Sequence, residues 1–98
     1  MQTEEMIPAS EFCIHHHIEL TFLYSLKESG LIEIVELQEK AFVPVRQLSD
    51  LEKLARLYYD MDINLEGIET ISYLLKRIQD MQQQIIQLNN KLNSYHNE

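Results

Sequence analysis

The sequence predicts a mainly α protein with a small β-hairpin: a helix-turn-helix, the hairpin, a further helix, and a long C-terminal coiled-coil helix. Three observations point there. Apolar residues at helical spacing fill two short stretches before Gly30, the period changes to two just after it, and an unbroken heptad pattern begins at Ile71. At 98 residues the chain makes one small core, divided in expectation into residues 1–64, the N-terminal unit, and 65–98, the dimerisation helix.

The first five residues show no apolar periodicity and are expected to fray. Pro8 and Ser10 then signal a helix start, with Ser10 placed to cap the first turn. The helix through Phe12, Cys13 and Ile14 is short, because Leu20, Leu23, Leu26 and Leu31 open a second apolar pattern only a few residues on. Two short helices in succession read as a helix-turn-helix. Gly30 ends the second, since a residue without a β-carbon takes the left-handed terminal conformation without a clash.

After Gly30, Ile32 and Ile34 lie on one face of a strand and Leu31, Glu33, Val35 and Leu37 on the other. Polar QEK and a second β-prone run, AFVPV, complete a hairpin in which Pro44 marks the second strand as an edge. Helical spacing returns at Leu48, Leu51, Leu54, Ala55 and Tyr58, with Ser49 or Asp50 as cap. DMDIN, Asp60 to Asn64, breaks that pattern, and the last helix starts near Leu65.

In that helix the a positions are Ile71, Ile78, Ile85 and Leu92, and the d positions are Leu74, Met81, Leu88 and Tyr95. All eight are apolar, which marks a seam for a second copy of the chain and hence a homodimer. Ile at a with Leu or Met at d suits two strands if parallel, but the direction stays open.

Sixteen acidic residues oppose eight basic ones, a net charge of -8. Residues 1–45 hold eight Glu and two Lys, so the acidity is concentrated in the first half. Such a surface repels phosphate backbones and attracts basic protein surfaces. One cysteine excludes an intrachain disulfide, and no long apolar run or basic-then-apolar leader is present, so a cytoplasmic protein without membrane association is expected.

EFCIHHHIEL, Glu11 to Leu20, is the one stretch that raises metal chemistry. Cys13, His16 and His17 share a helical face, yet a structural zinc site takes four ligands and no second cysteine exists. Cys13 reads instead as a small buried apolar residue, and no metal or other cofactor is expected. Two glycines leave no phosphate-cradling loop, and no serine has a triad context, so no catalytic residue and no enzyme is expected.

The order of elements resembles MerR-like winged-helix proteins. HIELTFLYSLKESGLI, His17 to Ile32, looks like that superfamily's second helix and its exit, and DLEKLARLYYDMDINLEGIETI, Asp50 to Ile71, resembles its following segment. Two departures stand out. Where DNA-binding members place arginines, this chain has Leu20, Thr21, Phe22, Tyr24 and Ser25 in the helix and Glu33, Glu36 and Glu39 in the wing, with only Lys27 and Lys40 as cations. The turn glycine before the second helix is replaced by His17.

A narrower family is also similar. Glu11-Phe12-Cys13 with histidines behind, Gly30 to Glu33, DINLEGI at Asp62 to Ile68, and the Gln/Asn-rich coil with Leu88 to Leu92 resemble chaperone modulators of the CbpM type. The resemblance implies an adaptor that binds the J-domain of a DnaJ-like co-chaperone and inhibits it. J-domains dock onto Hsp70 through a basic helix, which an acidic module could occupy. The implied contact residues are Glu19, Glu28, Glu33, Glu36 and Glu39, with one or two of Phe12, Phe22, Tyr24 and Phe42 as anchors. The alternative is a MerR-like DNA-binding transcriptional regulator.

Overall fold

The structure is a computed structural model and describes residues 4–96. In chain order it contains β1 (Met6–Pro8), α1 (Ala9–His16), α2 (Leu20–Glu28), β2 (Val35–Leu37), β3 (Lys40–Pro44), a 3-10 turn (Val45–Gln47), α3 (Leu48–Tyr59) and α4 (Leu65–His96). This is a winged helix-turn-helix followed by one long helix, as the sequence predicts. No helix among the described residues is long and apolar enough to cross a membrane.

The two short helices end in the same way. After α2, Gly30 has φ +80, the Gly30 N–H donates to the Lys27 carbonyl and the Leu31 N–H to the Leu26 carbonyl. After α1, His17 takes the left-handed conformation itself (φ 56, ψ 46), with His17 and Ile18 N–H groups donating to Ile14 and Cys13. The turn geometry thus survives loss of the glycine. Holding a residue with a β-carbon there costs about 1–2 kcal/mol.

Several expected boundaries shift. Ser10 does not cap α1, which begins at Ala9 directly after extended Pro8, so Ser10 lies inside the helix. Glu4 and Glu5 are engaged rather than frayed: the Val45 N–H donates to the Glu5 carbonyl, and Glu4 pairs with Arg46. Residues 1–3, also expected to fray, lie outside the described residues.

The hairpin is the outer part of a three-stranded antiparallel sheet of order β1-β3-β2. β3 is therefore the middle strand and Pro44 no edge marker. Pro44 is the last residue of β3, opposite Met6, and the pairing continues past it through Val45. On the other side Val35 to Leu37 pair with Phe42 to Lys40. The strand begins at Val35, later than expected, although Ile32 and Ile34 are both buried. Gln38 and Glu39 form the two-residue loop and both have positive φ (50 and 65), as primed hairpin turns require.

Neither Ser49 nor Asp50 caps α3; the 3-10 turn runs directly into it with Gln47 at the N-cap position. The Gln47 side chain is buried and works elsewhere. Its Oε1 accepts from the Glu33 N–H at 3.0 Å and its Nε2 donates to the Glu33 carbonyl at 2.6 Å, so one amide satisfies both backbone groups at the base of the wing. Gln47→Leu leaves those groups without partners and is expected to destabilise the fold by about 1–3 kcal/mol. Thermal unfolding checks this, an unchanged midpoint contradicting the role of the clamp.

The core gathers Phe12, Cys13, Phe22, Leu23, Leu26, Ile32, Ile34, Val43, Leu51, Leu54 and Ile68. Leu23, Leu26, Leu51, Ile68 and Val43 are fully buried. Ile68 lies near the start of α4, so the long helix is rooted in the same core. Asn64 caps its first turn, Oδ1 accepting from the Gly67 N–H at 2.8 Å.

Candidate interaction surfaces

The five glutamates are exposed and fall on two elements. Glu19 precedes α2 and Glu28 is that helix's last residue, while Glu33 sits at the wing base, Glu36 on β2 and Glu39 in the wing turn. Tyr24 joins the two elements: its hydroxyl donates to Glu36 Oε1 at 3.3 Å. Both the loss of hydration and the adjacent Glu36 charge raise the Tyr24 phenol above its ordinary pKa.

Arg46 is exposed but engaged within the chain. Its guanidinium bonds both Glu4 and Glu33, ties the N-terminal segment to the wing base, and is held still more firmly protonated by those carboxylates. Lys27 lies over the Tyr24 ring, 5.9 Å from its centroid. Glu33 is thus partly neutralised, whereas the side chains of Glu28 and Glu39 make no ion pair or hydrogen bond among the described residues.

Of the expected aromatic anchors, Phe12 and Phe22 are core residues rather than surface ones. Tyr24 and Phe42 remain half-buried. Both buried rings stood on apolar helical faces, which is the pattern of packing.

Along α4, Ile71 is half-buried, while Leu74, Ile78, Met81, Ile85, Leu88, Leu92 and Tyr95 are 49–80% exposed. Leu75 and Ile86 are also exposed and widen the stripe. The helix extends past the core, so among the described residues nothing in one copy of the chain covers these side chains.

Within EFCIHHH, Phe12 and Cys13 are buried, whereas Glu11, Ile14, His15 and His17 are exposed. Cys13 is buried, and burial raises its thiol pKa. His16 stacks on Phe12 with ring centroids 4.3 Å apart and places Nε2 3.7 Å from Glu52. His17 forms the turn. Among the described residues no three His, Cys, Asp or Glu side chains are grouped to hold a metal ion. A chelator is expected to leave the thermal midpoint unchanged, because metal binding is coupled to folding only where a ligand set exists. A fall of several degrees, or stoichiometric zinc in protein purified without a metal column, contradicts this.

One aromatic cluster lies, as a group, outside the residues that the sequence singles out. Phe22, Tyr58 and Tyr59 pack together with centroid separations of 4.6, 5.3 and 5.0 Å, and the Tyr59 hydroxyl accepts the Glu19 N–H at 3.0 Å. Tyr58 and Tyr59 stand seven and eight residues after Leu51, so both continue the apolar face of α3, and the paired rings at its end are the available signal.

A helix-turn-helix and wing followed by one long helix define a winged-helix protein. Residues 7–90 match the MerR HTH family of regulatory proteins, and the chain belongs to that family. Comparisons with curated proteins and with solved structures give no match.

Proposed function

We propose that the protein is a non-catalytic cytoplasmic adaptor that binds the J-domain of a DnaJ-like co-chaperone, inhibits it, and acts as a homodimer joined through α4. The observation that carries the reading is the charge of the helix and wing that a DNA-binding relative would set against the duplex. Glu28, Glu36 and Glu39 are exposed there against only Lys27 and Lys40 as cations, and Arg46, after β3, is bound by Glu4 and Glu33. Phosphate contacts need free cations at such positions. A basic helix meets the opposite condition: the same carboxylates steer it in and fix its orientation.

Family membership favours a second reading, a DNA-binding transcriptional regulator. The two separate on one pair of titrations. Unmodified protein is titrated against a labelled J-domain and a labelled promoter duplex at the same moderate salt. The adaptor binds the J-domain and leaves the duplex free; duplex binding with no J-domain complex overturns it.

A further inference from the structure

We infer that the pocket between the start of α2 and the end of α3 receives a lysine or arginine side chain from the partner's basic helix, an inference that rests on the adaptor reading and names its point of contact. The pocket measures about 150 Å³ and is lined by Glu19, Thr21, Phe22, Ser25, Tyr58, Tyr59 and Leu65. Phe22 forms its base, only 5% exposed, while Tyr58 and Tyr59 are 37% and 39% exposed. Three π-systems therefore meet at one small opening, two of them accessible.

The chemistry of the lining selects the occupant. Ser25 is committed to the Thr21 carbonyl, and the Tyr59 hydroxyl already accepts the Glu19 N–H. The Glu19 carboxylate receives one bond, from Thr21 Oγ1 at 3.2 Å, so most of its accepting capacity is open. No lysine or arginine lines this pocket. Arg56 lies across Tyr59 in the neighbouring depression, beside Glu52 and Asp60.

An anion is repelled by Glu19, and an apolar side chain displaces water from that carboxylate without replacing its hydrogen bonds. A lysine or arginine satisfies both features: its stem packs on Leu65 and the rings, and its charged head meets the aromatic faces and the carboxylate together. The pocket adjoins the outer face of α2, where Thr21, Ser25 and Glu28 follow one another at helical spacing. A helix laid along α2 would carry one cation into the pocket and another towards Glu28.

Binding of a labelled J-domain to the unmodified protein, Tyr58→Leu and Glu19→Gln tests the inference, with N-acetyl-argininamide followed by its effect on the tyrosine ring resonances. Each substitution is expected to weaken J-domain binding about tenfold, the loss of a desolvated cation contact. Glu19→Gln keeps the aromatic cluster, so its effect does not depend on how Tyr58→Leu folds. Equal binding by all three proteins overturns the pocket and leaves the adaptor reading standing. If the unmodified protein binds no J-domain, the adaptor reading falls and the small probe decides: argininamide shifts of Tyr58 and Tyr59 that diminish in Glu19→Gln support the pocket. Absent shifts, or equal shifts with N-acetyl-leucinamide, overturn it.

Discussion

Replacing Ile78 and Ile85 together by glutamine is expected to turn a micromolar dimer into monomers. Both side chains are about half exposed in one copy and sit at a positions in the middle of the stripe. A dimer buries four of them, each worth about 1.5 kcal/mol or more, so the double substitution weakens association by at least about four orders of magnitude. Sedimentation reads this directly, and a monomer in the unmodified protein at micromolar concentration removes the proposed interface. Because the core is built from β1 through the first turns of α4, the monomeric variant is expected to keep its winged-helix half folded.

Reversing the wing charge is expected to have the second large effect. Glu33→Lys, Glu36→Lys and Glu39→Lys together replace attraction for a basic helix by repulsion, and J-domain binding is expected to be lost. The same three cations raise affinity for duplex DNA and give it a salt dependence. Glu33→Lys also places a cation against Arg46, which Glu33 now bonds. The double variant Glu36→Lys with Glu39→Lys separates that structural effect from the electrostatic one. Unaltered J-domain affinity in the double variant moves the contact off the wing and onto α2.

The features readable from sequence were those with a long period or a strict backbone demand. Four heptads repeat one pattern across Ile71 to Tyr95, and Gly30 stands where a left-handed residue must follow a helix. The unreadable ones depended on partners distant in the chain. Three residues, Met6 to Pro8, are too few to show alternation, and they become a strand only because β3 offers an open side. Without β1, Pro44 looks like an edge residue. Gln47 looked like an ordinary polar position because its bonds go to Glu33. The Gln38–Glu39 turn uses no glycine or asparagine, and only the register of β2 on β3 imposes its positive φ values. The glutamates are exposed, but the bonds of Glu33 and Glu36 come from the wing meeting Arg46, Gln47 and Tyr24, and the pocket beside Glu19 from packing between α2 and α3, none of which one-dimensional spacing encodes.

The strand order has a consequence for how the chain acquires its shape during synthesis. β3 is completed on one side by β2, its immediate predecessor, and on the other by β1 from the opposite end of the winged half. The local hairpin closes over a two-residue loop, whereas the β1 contact must wait until the ribosome has delivered Pro44 and Val45. In that interval Met6 to Pro8 and the apolar side of α1 have no sheet to rest on. A nascent chain halted before Lys40 is therefore expected to be a substrate for holding chaperones, and one whose emerged portion extends beyond Ile68, the last core residue, is not.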